Sequence, residues 1–177
     1  MKSKETRYIV YGGFIAALYV VLTYVASAAG LASGAIQVRL SECLTILPCL
    51  TAAAVPGLTV GCVLANLLTG CAAWDVVFGS LATLIGAVGT RLLKKKPALA
   101  WIPPVISNMI IVPLVLIHVY QVPDVSVTVP FTQTTLSGSG FLPLMLTVGI
   151  GEIISCGILG LLVYKAAKRT LPASAQD

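Results

Sequence analysis

Gln37, Arg39 and Glu42 stand close together between two long apolar runs. An amide, a guanidinium and a carboxylate offer donors and acceptors of both kinds, the set needed to hold a small polar molecule by its edges. Glu152 sits deep in the last apolar run, and Asp75 opens another. Asn66 and Asn108 add buried amides, and Trp74 adds a planar face on which a flat ligand could stack. In an apolar chain such ionisable groups are costly, and they are usually tied to a pathway, a ligand or a partner charge. Each also has a purely structural reading. Arg39 and Glu42 can pair at i,i+3 on a helix. Asp75 can answer a helix dipole. The two Asn can be interhelical glue, and Trp74 an interfacial belt residue. Glu152 is the sharpest of these. It lies about 16 Å into its helix by the helical rise, far from Lys165, so it should face the bundle interior beside Ser155 and Cys156.

The elements that must position these residues are membrane helices. Of 177 residues, 58% are hydrophobic and only 10% charged, and mean hydropathy is +0.99. That is too little charge to cover a soluble surface. The reading is one integral membrane domain, all-α, over 1–177. Its helices are expected at about 8–29, 41–55, 57–70, 74–93, 99–120 and 141–165. Gly30 and Gly34 break the first loop, Pro56-Gly57 divides 41–70, and Pro113 should kink the fifth helix. The stretch 121–140 is polar and broken, an outer loop, and 170–177 reads as a disordered tail. The first apolar run, from Tyr8 to Val25, mimics a signal peptide but is longer than a signal core, so a retained helix is expected. The five cysteines contain no C-x-x-C pair and read as small buried hydrophobes.

Charge sets the helix count. Basic residues gather at Lys2, Lys4 and Arg7, at Arg91 with Lys94 to Lys96, and at Lys165, Lys168 and Arg169. Six helices place all three clusters on the cytoplasmic side, with both termini, and five would not. The polar loop with Gln37 and Arg39, Glu42 at the start of the second helix, Asp75 and the outer end of the fifth helix with His118 then all face outward. The net charge of +5 is accounted for by these anchors rather than by a nucleic-acid surface.

Gly12 with Ala16, and Gly13 with Ala17, put small residues at helical spacing on the first helix. Such a stripe allows close helix contact in lipid, either inside the bundle or with a partner. No G-x-x-x-x-G-K-[ST], H-E-x-x-H or G-x-S-x-G motif is present. No cofactor and no metal site are expected. A motor would have to come from another chain. A stand-alone carrier using Glu152 as its proton site is a second reading. An enzyme with His118 and a carboxylate as acid–base pair is a third, with no nucleophile or cofactor motif beside the His.

Three segments carry a family resemblance. They are Gly34-Ala35-Ile36-Gln37-Val38-Arg39-Leu40-Ser41-Glu42-Cys43-Leu44-Thr45-Ile46-Leu47-Pro48, then Asp75-Val76-Val77-Phe78-Gly79-Ser80-Leu81-Ala82-Thr83-Leu84, and Pro103-Pro104-Val105-Ile106-Ser107-Asn108. They resemble signatures of the QueT family. That resemblance implies a substrate-binding S component of an energy-coupling factor importer in a prokaryotic plasma membrane. It implies a substrate among queuosine precursors, a 7-deazaguanine in its 7-cyano or 7-aminomethyl form, or queuine. An S component for another vitamin is the near alternative. The implied partners are a transmembrane T component, docked on the small-residue face of Gly12, Gly13, Ala16 and Ala17, and two cytoplasmic ATPases. The chain itself would not be an enzyme. The implied site faces outward under the first loop, where Gln37, Arg39, Glu42, Asn66, Trp74, Asp75, Asn108 and Glu152 meet the needs of a deazaguanine edge.

Overall fold

The computed structural model of the chain describes residues 2–31, 38–121, 124–128 and 135–170. Six helical segments form its body. They are α1 (Lys2–Ala28), α2 (Leu40–Cys49), α3 (Ala54–Leu68), α4 (Ala73–Leu92), α5 (Ile102–His118) and α6 (Phe141–Thr170). By length and apolarity α1, α4 and α6, and α5 with the short turn before it, can each cross a membrane, whereas α2 and α3 are shorter apolar helices. The segment count follows the hydropathy pattern. Two details differ from the sequence reading. The break within 41–70 falls at residues 50–53, not at Pro56-Gly57. Pro56 lies in the first turn of α3, where its missing N–H removes no helical bond. Between α5 and α6 the polar stretch forms an antiparallel hairpin, β1 (Asp124–Thr128) and β2 (Thr135–Ser139), with Asp124 opposite Ser139. The last helix runs on to Thr170, and the tail beyond it lies outside the described residues.

α2 is the centre of the bundle. It is wound as a 3-10 helix, and every residue from Ser41 to Cys49 is buried. It packs on α1, α3, α4 and α6. A tight, short helix enclosed on all sides suits a segment that never meets lipid. The Pro48 carbonyl, near its end, accepts from the Arg91 guanidinium of α4 at 3.1 Å. α6 changes winding in mid-course. It is α-helical over Phe141–Glu152, π-wound over Ile153–Leu159 and α-helical again from Gly160. Such π segments are frequent at functional sites. This one begins directly after Glu152 and carries Cys156 against Thr45 and Glu42 of α2.

Small residues set the helix spacing. α1 crosses α3 where Gly12 and Ala16 meet Gly57 and Gly61. A Cβ on Gly57 would lie 2.6 Å from the Gly12 carbonyl oxygen, and one on Gly61 would lie 3.0 Å from the Ala16 backbone. α4 crosses α5 the same way, with Gly86 against Pro104 and Gly89 against Pro103. Because the obstacle at Gly57 is backbone, Gly57→Ala must push two helices apart. It should cost about 1–3 kcal/mol, read as a lowered unfolding temperature of the detergent-solubilised chain. An unchanged midpoint would show that this crossing is slack.

Candidate functional site

The C-terminal ends of α1, α3 and α5 and the N-terminal ends of α2 and α4 surround a cavity of about 380 Å³. Its walls include Tyr19 and Thr23 from α1, Arg39 and Ser41 at the head of α2, and Asn66 from α3. Cys71, Asp75 from α4, and Tyr120 just past α5 complete the polar part of the wall. The basic clusters lie at the other end of the bundle. There Arg91 reaches Pro48, and Tyr8 at the start of α1 reaches the Ala52 carbonyl. The polar cavity and the cationic anchors thus occupy opposite ends of the molecule.

Beneath the cavity lies a fully buried polar cluster. Tyr19 donates its hydroxyl hydrogen to Oε1 of Glu42. Glu42 is 0% exposed, and its Oε2 has no hydrogen-bond partner among the described residues. Asn108, from α5, lies beside both Glu42 and Glu152, yet its Nδ2 stays unpaired in hydrogen-bond geometry. Cys156 donates to Oε2 of Glu152 at 3.2 Å. Arg39 exerts its charge on Tyr19, Asp75, Glu152 and Glu42. It lines the cavity half-buried, without a hydrogen bond to any described residue. The i,i+3 pair open to Arg39 and Glu42 from sequence is therefore not formed. Among the described residues an acceptor (Glu42 Oε2) and a donor (Asn108 Nδ2) thus lack hydrogen-bond partners, within the reach of the Arg39 charge. Buried polar groups without partners are costly, and together they describe the complement of a polar, planar edge.

The nearer wall is better satisfied. Asn66 Nδ2 donates to the Asp75 carbonyl at 3.4 Å and so ties α3 to α4. Asp75 Oδ2 accepts from the Tyr120 hydroxyl at 3.3 Å. These residues line the cavity, while Glu42, Asn108 and Glu152 lie buried behind its wall, linked to it through Tyr19.

Of the residues singled out in the sequence, the fold brings Arg39, Asn66 and Asp75 to the cavity, and Glu42, Asn108 and Glu152 beneath it. Trp74 goes elsewhere. It is 60% exposed on the outer face of α4, stacked on Phe78 at 5.9 Å, and shares an apolar groove with His118. His118 bonds the Leu114 carbonyl of its own helix. Gln37 lies outside the described residues. Near Glu152, Gly149 packs against the Met109 sulfur, which a Cβ there would approach at 3.0 Å. The sequence reading misses two aromatic residues, Tyr19 and Tyr120. They, and not Trp74, line the cavity. A tyrosine in mid-span needs a partner for its hydroxyl, and that is the available signal for Tyr19. Tyr19→Phe would leave Glu42 Oε1 unpaired as well as Oε2. Binding of the cavity's ligand should fall by about five- to tenfold, the worth of one hydrogen bond of about 1–1.4 kcal/mol, with the fold retained. Isothermal titration of the variant checks this, and an unchanged affinity would reduce Tyr19 to packing.

The small-residue stripe on α1 divides in two. Gly12 and Ala16 are occupied by α3 inside the bundle. A Cβ on Gly13 would have nothing within 4 Å of it, and Ala17 is exposed.

Comparison with known proteins agrees on one family. The family model described as QueT transporter matches residues 9–169. A curated relative, "Queuosine precursor transporter QueT" of Lactococcus lactis subsp. cremoris (strain MG1363), is 36% identical over 86 residues. That alignment covers 48% of this chain and 50% of the relative, so the chain spans about half the length of the curated relative it matches. No solved structure matches significantly.

Proposed function

The chain belongs to the QueT transporter family, and from that premise we propose that it is the substrate-binding S component of an energy-coupling factor importer for a queuosine precursor. The carrying observation is a buried acceptor and donor, Glu42 Oε2 and Asn108 Nδ2, without partners among the described residues, in the cluster that Tyr19 links to the cavity lined by Arg39. A 7-deazaguanine presents a ring N–H and an amino group to a carboxylate, and a carbonyl oxygen to an amide or guanidinium donor. Tyr19 and Tyr120 line the cavity. Asn66 and Asp75 complete its wall, Gln37 belongs to the loop above it, and Trp74 stays outside.

The in–out sense comes from the basic end of the bundle. By the positive-inside rule that end is cytoplasmic, both termini are cytoplasmic, and the cavity opens outward in a prokaryotic plasma membrane. On this reading uptake is powered by a T component and two ATPases in other chains. The exposed Gly13/Ala17 half of the α1 stripe is the docking face offered to the T component.

Charge supports one form of the substrate. Glu42, Glu152 and Asp75 face a single Arg39, so an aminomethyl cation relieves an imbalance that a neutral nitrile leaves in place. Calorimetric titration of the purified chain should show 7-aminomethyl-7-deazaguanine binding more tightly than the 7-cyano form. Should both fail below millimolar concentration while a vitamin binds, the substrate assignment falls and the S-component reading stands alone. Transport by the chain in a host lacking any energy-coupling module would instead support the proton-coupled carrier, with Glu152 as its proton site.

A further inference from the structure

Glu42, Glu152 and Cys156 lie far apart in the sequence except for the last two, yet each brings a ligand atom to within 4.8 Å of the others. All three are at least nine-tenths buried. We propose that these three side chains form a binding site for a thiophilic divalent cation of the zinc type. The site does not depend on which base the cavity takes, because Cys156 is not among the residues proposed to hold the base.

The donor chemistry is the first ground. Two carboxylate oxygens and one sulfur suit a borderline cation that accepts both, and three protein ligands with one open position are the arrangement of zinc sites that also hold a small molecule. The second ground is Oε2 of Glu42, a buried acceptor without a hydrogen-bond partner among the described residues. The third is the surrounding support. Tyr19 fixes the other oxygen of Glu42. Thr45 donates to Cys156 Sγ at 3.4 Å, and Cys156 already touches Glu152 Oε2 at 3.2 Å. Such outer bonds orient metal ligands. Donor atoms in a closed tetrahedral site are roughly 3.3–3.7 Å apart, given metal–ligand bonds of about 2.0–2.3 Å. Rotation of the side chains by about an ångström brings the set to that size. Charge closes too. Binding displaces the thiol proton, which leaves through the cavity to solvent, and a dication together with Arg39 then balances two carboxylates and one thiolate.

The test uses the full chain in detergent with cadmium as the probe. In a variant with Cys43, Cys49, Cys62 and Cys71 changed to serine, Cd²⁺ should produce the ultraviolet thiolate-to-cadmium absorption band at one ion per chain. Glu42→Gln and Glu152→Gln in that background should weaken Cd²⁺ binding at least tenfold. Absence of the band, or a band indifferent to both glutamates, overturns the site. If the four-serine variant does not fold, the native chain is compared with Cys156→Ala, and the number of bound Cd²⁺ should fall by one. Equal stoichiometry overturns the proposal. Cys156→Ala should bind the deazaguanine as the native chain does, so loss of the cation and loss of the base are read separately. Because both draw on the same carboxylates, saturating Cd²⁺ should displace the base.

Discussion

Glu42→Gln should weaken deazaguanine binding by at least tenfold while leaving the chain folded. The reasoning is local. Tyr19 donates to Oε1 and will hold the carbonyl oxygen of a glutamine in the same place. The new amide nitrogen then occupies the position of Oε2, the acceptor that has no partner among the described residues. A ligand N–H that met an oxygen now meets another N–H. A hydrogen bond to a charged group contributes about 1.5–3 kcal/mol, and each 1.4 kcal/mol is tenfold in affinity, so the loss lies between about tenfold and a hundredfold. The fold should not suffer, because removing a buried charge lifts a desolvation cost. Titration calorimetry and thermal unfolding on the same preparation separate the two effects. Equal affinity for native and variant chains would move the ligand away from Glu42, and a collapse in stability would make Glu42 a structural residue.

Changing Gly13 and Ala17 together to leucine should abolish uptake and copurification of the T component and spare ligand binding in the isolated chain. The space around Gly13 is open and Ala17 is exposed, so two leucines fit without disturbing the bundle. They would nevertheless hold a partner helix off by the width of a side chain. The neighbouring pair gives the contrast. A leucine at Gly12 would strike the Ala53 carbonyl oxygen, which even a Cβ approaches at 3.3 Å, and would force α1 away from Gly57. Gly12→Leu should therefore lose ligand binding and stability together. If the Gly13/Ala17 double variant still copurifies its partner, the docking face lies elsewhere on the molecule.

Hydropathy and charge made the six segments and their grouping legible, because apolar length and basic anchors are local properties of the chain. Winding was not legible. The 3-10 turn count of α2 and the π stretch of α6 arise where those two elements press on each other, and no residue type encodes that. Pro56-Gly57 reads as a breaker, but a proline in a first turn costs nothing, and the chain turns at 50–53 instead. The hairpin left a trace in the β-branched residues Val125, Val127 and Thr128, masked by its prolines and glycines. Glu152 was legible as an interior acid by depth alone. Its proximity to Glu42 was not, since that needs α2 and α6 side by side. Trp74 went astray because sequence gives its level in the membrane but not its azimuth on α4.

α1 places two unlike tasks on one rigid rod. Tyr19 grips Glu42 behind the wall of the cavity, and Gly13 and Ala17 lie exposed on another side of the same helix, the nearer only about 3 Å and the farther about 9 Å along its axis. No proline interrupts the helix between them. A rotation of the rod that accompanies a change at Glu42 is delivered undiminished to the exposed stripe, as a key turns both its bow and its bit. The proposed seat for a partner and the grip on the buried acid share one uninterrupted helix, so a turn of that helix would move both.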